Sequence, residues 1–220
     1  MPRPPRNLVP DFPAHLTHRG NDRQDIFRRP EDFGVFKHFL KEAVDRHAVA
    51  VNAYVLMSNH IHLLLTPREP FAISRALHSA SRRYTGYFNA RYERTGILWE
   101  GRFQASPVTA ERYLFACYRY IEMNPVRAGI VTDPKSYAWS SHCFYAAGAK
   151  DSLVTPHPAI LELSEEPSRR QDRYRALFCT HSDPAELDLI RNACKAGRAV
   201  GSNLTSKGRP RKEMVPDTII

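Results

Sequence analysis

The sequence predicts an α+β fold: a ferredoxin-like antiparallel sheet with helices packed on one face, followed by a helical and extended basic extension. Three observations predict it. The apolar spacing of roughly the first 145 residues switches between the strand period of about two and the helix period of about 3.6, in the order strand, helix, strand, strand, helix, strand, helix. Two of those strands are separated only by a turn, which forces an antiparallel pair. The balance of 42% hydrophobic and 25% charged residues is that of an ordinary globular domain.

Each element has its own signal. AHLTHRGN, around His15, reads as a first strand that stops at the Gly20–Asn21 turn. EDFGVFKHFLKEAVDRH spaces Phe33, Phe36, Leu40 and Val44 along one helical face. AVAVNAYVLM and HIHLLLTP are strands joined across Ser58–Asn59, and FAISRALHSASRRYTGYFNARY is a long helix after Pro70. ILWEGRFQASPV supplies a short strand region. TAERYLFACYRYIEMNP is a helix with Thr109 expected at its N-cap. Pro125 disfavours helical geometry at Asn124 and should end it there. Residues 1–145 are therefore expected to be one alternating β/α domain. Residues 146–220 are expected to form an extension with helical patches such as PAELDLIRNACKAG and a basic tail.

The charge points to a partner. A net charge of +9 and a pI of about 9.6 favour a polyanion, of which nucleic acid is the commonest for a soluble protein. No apolar run reaches the roughly 18 residues of a membrane span, and the first residues carry no apolar leader, so no membrane partner is expected. The four cysteines form no CxxC pair, which argues for a reducing, cytoplasmic setting.

The chemistry lies in VLMSNHIHLLLTP. A strand sends alternate side chains to opposite faces, so His60, His62 and Leu64 share one face and Ile61, Leu63 and Leu65 the other. Two imidazoles on one face suit two ligands of one divalent metal, or two separately satisfied edge histidines; the pair alone does not decide. Tyr120 and Asn124, four apart in CYRYIEMNP, share a helical face. They offer a nucleophilic hydroxyl and an amide oxygen, or else a packing aromatic and a helix-end residue.

Together these fragments resemble the HUH-class single-tyrosine transposases, in their REP-associated tyrosine transposase branch. The resemblance runs from about His15 to Trp139 through THRGNDRQDIF, YVLMSNHIHLLLTP, RRYTGYFNARYERTGILWEGRF and RYIEMNPVRAGIV. It implies a ferredoxin-like sheet and an enzyme that cuts and rejoins single-stranded DNA beside a hairpin, through a 5′-phosphotyrosine link that needs no ATP. It implies Tyr120 as nucleophile, His60 and His62 as metal ligands, and Asn124 at the third ligand position, where some relatives carry the longer Gln. It also implies a single-stranded or hairpin DNA partner and a monomer or homodimer. A nitrogen and oxygen donor set without thiolate fits Mg2+ or Mn2+ under oxygen-rich phosphate ligation, although affinity order alone favours zinc.

Between Arg82 and Phe103 there are five arginines and two glutamates, with Tyr84, Tyr87, Phe88, Tyr92 and Trp99 interleaved. The spacing of Tyr84, Tyr87 and Phe88 is that of a core stripe. Arg82, Arg83 and Arg102 are the expected DNA-backbone contacts. KGRPRK, with Arg209 and Arg211, resembles an AT-hook core that would lie in an A·T minor groove, or is a solvated basic tail. No general base is evident in the sequence; Glu122 and His78 are the two candidates, and neither is assigned. Two alternatives stand beside the transposase reading: a non-catalytic single-strand-binding module, and a phosphodiesterase in which water attacks and Tyr120 is structural.

Overall fold

The computed structural model describes residues 8–179 and 184–200. Four strands form one sheet in the order β2 (Val49–Met57), β3 (His60–Pro67), β1 (Ala14–Arg19), β4 (Gln104–Pro107), with every neighbouring pair antiparallel. α1 (Pro30–Arg46) connects β1 to β2, and α2 (Ala72–Arg91) connects β3 to β4. This is the expected α+β sheet with the expected element order.

α1 and α2 cover one face, as the sequence predicted. Leu16 of β1, Tyr54 and Leu56 of β2, and Ile61, Leu63 and Leu65 of β3 point into that layer, where they meet Phe36, Leu40, Tyr84 and Phe88. Tyr84 and Phe88 are thus core residues, while Tyr87 is half-buried. Asp32, in the first turn of α1 and fully buried, accepts from the backbone N–H of Arg28 (2.9 Å) and Arg29 (3.0 Å) and from the hydroxyls of Tyr87 (3.0 Å) and Tyr92 (2.6 Å). One carboxylate thereby caps α1 and ties it to the end of α2.

The other face is not bare, which differs from the one-sided packing expected. α3 (Glu111–Glu122) lies over β2 and β3, and α8 (Pro184–Ala196) lies over β4 and β1. The reason is that Ala53, Val55, Met57 and Leu64 make this face apolar too, and they share a second core with Cys117, Ile121, Tyr174, Ile190 and Val200. A β-bulge at Asn52 decides which residues of β2 supply it. The bulge moves the inward parity of β2 from Val49 and Val51 to Tyr54 and Leu56, which turns Val55 and Met57 toward α3.

α3 starts at Glu111 after the N-cap Ala110, two residues beyond Thr109, and ends at Glu122. A short helix, α4 (Asn124–Arg127), follows; Asn124 is thus helical, contrary to the expectation from Pro125, because the chain breaks earlier, at Met123, and the proline sits in the first turn of the new helix, where it needs no N–H partner. α5 (His142–Ala147) straddles the expected boundary at residue 146, and α6 (Pro158–Leu161), α7 (Pro167–Cys179) and α8 lie beyond it. Val200 pairs with Val108 beside β4, its N–H donating to the Pro107 carbonyl (2.9 Å), so the extension also covers the sheet edge. Among the described residues no helix is long and apolar enough to cross a membrane.

Candidate functional site

The site is built at the β2–β3 turn and on the α3 face of the sheet. The loop after β1 grips the turn from below: the Gly20 N–H donates to the Asn59 carbonyl (2.8 Å), and the Ile26 and Phe27 N–H groups both donate to Ser58 (2.8 and 2.9 Å). Gly20 is required there because a Cβ would sit 2.2 Å from the Gln24 carbonyl oxygen. The turn then delivers His60 and His62 to one side of β3, with Met57 and Val55 of β2 as their cross-strand neighbours.

The two rings stand edge to face, with centroids 5.1 Å apart. Each has its Nδ1 occupied. The Asn59 Oδ1 lies 2.7 Å from His60 Nδ1, and Asn59 Nδ2 donates to the Arg23 carbonyl (3.3 Å), which fixes the amide's orientation. The amide oxygen only accepts, so His60 Nδ1 carries the proton and Nε2 is bare. His62 Nδ1 lies 3.0 Å from His15 Nε2. With His62 as the donor of that bond, its Nε2 is bare as well. Burial, then the nearby Arg127 charge, lowers the His15 pKa to about 3. Burial and Arg19 lower that of His60 to about 4. His62 is pushed well below its usual value by burial, then by His15, His60 and Arg127. All three rings are therefore neutral at physiological pH, the protonation state a metal ligand needs.

Tyr120 of α3 reaches the same spot. Its ring meets His62 edge-on at 5.6 Å between centroids and His15 at 5.4 Å, and only 6% of the residue is exposed. The structure therefore brings Tyr120 and His62 together, with His60 one ring further out. Asn124 caps α3: its Nδ2 donates to the carbonyls of Tyr120 (3.0 Å) and Ile121 (3.3 Å). That leaves Oδ1 as the atom of this side chain for a metal. Among the described residues no group of three His, Cys, Asp or Glu is placed to hold a metal. The donors these residues offer a cation are the two imidazole Nε2 atoms and the Asn124 Oδ1, a mixed nitrogen and oxygen set without thiolate.

The two general-base candidates are engaged or placed elsewhere. Glu122 is fully buried and turned toward the extension, accepting from Ser141 Oγ (2.5 Å), Tyr174 OH (2.8 Å) and His142 Nδ1 (2.9 Å). His78 is exposed on α2, the helix of the opposite face. Arg82 and Arg83 sit on that same helix. Arg82 is exposed, whereas Arg83 pairs with Glu42 and lies over the Phe39 ring (4.2 Å). Arg102 is exposed in the loop before β4. Arg209 and Arg211 lie outside the described residues.

Sequence reasoning missed three neighbours. His15 meets His62 because Thr17 pairs with His62, which makes the two histidines diagonal neighbours; only strand register reveals this. Asn59 adjoins His60 and was legible only as a turn residue. Arg127, whose guanidinium carbon lies 4.6 Å from the Tyr120 ring centroid, reaches it from the separate helix α4 across the break at Met123, which no helical period in the sequence shows.

Comparison with known proteins follows this geometry. No curated protein matches the chain. Among solved structures, a REP-associated tyrosine transposase bound to a REP hairpin is similar with a TM-score of 0.54 and 19% identity, over 71% of this chain and 93% of that one. That likeness concerns the fold. A candidate transposase from Deinococcus radiodurans R1 is 21% identical over 55% of this chain and 95% of that one, at a TM-score of 0.39 too low to carry an argument. The sequence pattern of a family described as "Transposase IS200 like" matches residues 9–124, more than half of the chain, and that span takes in the histidine pair, Tyr120 and Asn124. On that match the chain belongs to the IS200-like transposase family.

Proposed function

We propose that this transposase cleaves and rejoins single-stranded DNA beside a hairpin, REP-like in kind, through a covalent link between Tyr120 and the 5′-phosphate. The observation that carries this reading is the edge-on meeting of the Tyr120 ring with His62 and His15 on one sheet face.

The Tyr120 oxygen attacks the phosphorus of a backbone linkage, and the bond to the 3′-oxygen breaks. The phenol proton passes to solvent, and the departing 3′-oxygen takes one up. The phosphoester bond energy stays in the phosphotyrosine, so attack by a 3′-hydroxyl restores a strand. His60 and His62 would hold Mg2+ or Mn2+, with the Asn124 amide oxygen as a third donor. The ion would neutralise charge on the phosphate and orient it. His15 and Asn59 hold the two ligand rings in their tautomers. Asn124 and Arg127 hold the end of the tyrosine helix through the Tyr120 carbonyl. Arg82 and Arg102, which are exposed and form no ion pair among the described residues, are the backbone-contact candidates that the structure leaves available. Arg83 is engaged by Glu42, and Arg209 and Arg211 of the tail remain candidates from sequence alone.

The test is a labelled hairpin oligonucleotide incubated with Mn2+ and resolved on a denaturing gel. A protein–DNA adduct that disappears in Tyr120→Phe is expected. Cleavage without an adduct would transfer the attack to water, and binding without cleavage would leave only a nucleic-acid module.

A further inference from the structure

One charged side chain beside Tyr120 has no task in that scheme beyond a helix-end contact. Arg127, in α4, places its guanidinium carbon over the Tyr120 ring at 4.6 Å from the centroid, and its Nη2 donates to the Tyr120 carbonyl. The residue is exposed, and among the described residues no carboxylate pairs with it. The other arginines near functional elements are differently placed: Arg19 lies against Glu100, Arg83 against Glu42 and Arg119 against Glu186. Glu122, the acid nearest in sequence, faces Ser141, His142 and Tyr174. The rings of His15 and His62 are neutral and contribute no negative charge. A guanidinium has five N–H donors in a fork matched to phosphate oxygens, and the Tyr120 carbonyl uses only part of that capacity.

We propose that Arg127 is a phosphate-binding residue of this site, hydrogen-bonding a non-bridging oxygen of the phosphate that Tyr120 attacks. The inference rests on the tyrosine-transfer reading. The same oxygen keeps its charge after the bond to Tyr120 has formed and the bond to the 3′-oxygen has broken. Arg127 therefore holds the group in both states and exchanges no proton. Its bond to the Tyr120 carbonyl anchors the fork beside the nucleophile, so one side chain both closes the end of α3 and presents donors to the substrate.

The test removes chemistry from the measurement. A hairpin oligonucleotide with single-stranded flanks, selected for binding to the full-length Tyr120→Phe protein, is titrated by fluorescence anisotropy at several salt concentrations. Arg127→Gln in that background should weaken binding about tenfold or more, the loss of one charged hydrogen bond. It should also reduce the slope of log K against log salt by about 0.7–0.9, one phosphate contact. Arg127→Lys should restore the slope. A neutral methylphosphonate placed at each linkage in turn should cost affinity at one position when Arg127 is present and leave affinity there unchanged in Arg127→Gln. Equal slopes and equal methylphosphonate penalties with and without Arg127, alongside a lowered melting temperature, would overturn the proposal and leave Arg127 a helix cap. Coupling between Arg127 and one linkage in a protein that forms no Tyr120 adduct would keep the phosphate site and discard the tyrosine chemistry, so the two failures are separable.

Discussion

Glu122 gives the sharpest test of how the tyrosine helix is held. It lies two residues beyond Tyr120, is fully buried, and accepts three hydrogen bonds from Ser141, His142 and Tyr174, all of them buried. Ser141 Oγ in turn accepts from the Tyr54 N–H of β2 (3.0 Å), so the carboxylate links α3 to the sheet, to α5 and to α7. Glu122→Ala strands the His142 and Tyr174 donors. Ser141 keeps an alternative acceptor in the Tyr54 carbonyl (3.3 Å). Two unsatisfied buried donors at about 1–3 kcal/mol each give a loss of about 2–6 kcal/mol, in the range for breaking a buried pair. With a urea m-value of about 2 kcal/mol/M, a central loss of about 4 kcal/mol moves the midpoint down by about 2 M. Glu122→Gln keeps the volume and one acceptor oxygen and should lose only about 1–2 kcal/mol. Urea unfolding followed by far-ultraviolet circular dichroism reads both. An alanine variant within about 0.5 kcal/mol of the parent, or a glutamine variant as damaged as the alanine, would refute the account. A folded Glu122→Gln protein that forms no Tyr120 adduct would return Glu122 to the list of bases.

Three further outcomes are expected. Asn59→Ala should lower Mn2+ affinity by roughly ten- to a hundredfold in calorimetry while leaving the melting temperature nearly unchanged, because the His60 ring loses the acceptor that sets its tautomer; unchanged affinity would remove Asn59 from the site. With divalent ions chelated, stability should be level between about pH 6.5 and 8 and fall below that range. His15 and His60 have folded-state pKa values of about 3 and about 4, so between those values and 6.5 the unfolded chain binds protons that the folded chain does not. At pH 5 each ring accounts for a loss on the order of 2 kcal/mol, with His62 acting in the same direction; a midpoint in urea that is level from pH 7.5 to 5 would contradict the burial of these rings. Gly20→Ala should cost about 2 kcal/mol or more and impair adduct formation, since the Gln24 carbonyl must move and the Asn59 bond to the Gly20 N–H with it; an alanine variant of parental stability would mean that the loop has room that the close approach denies.

What the sequence determined by itself were the properties that repeat along the chain. The alternation in HIHLLL put His60 and His62 on one face and Ile61, Leu63 and Leu65 on the other, and the structure keeps both sets. The helical spacing of Tyr84 and Phe88 marked them as core. These signals were legible because each side chain's direction follows from backbone geometry within a turn or two. Tertiary structure alone decided which faces meet. Residues 47 apart became neighbours when β1 paired with β3 and set His15 against His62. An extra residue at Asn52 reversed the parity of β2, so that Val55 and Met57, not Tyr54 and Leu56, face α3. The same packing turned Glu122 toward Ser141, His142 and Tyr174, committed the Asn124 amide nitrogen but not its oxygen to its own helix end, and left the Arg127 guanidinium over the Tyr120 ring. Register and the choice of face come from burying whole surfaces against one another, and no local period in the chain encodes them.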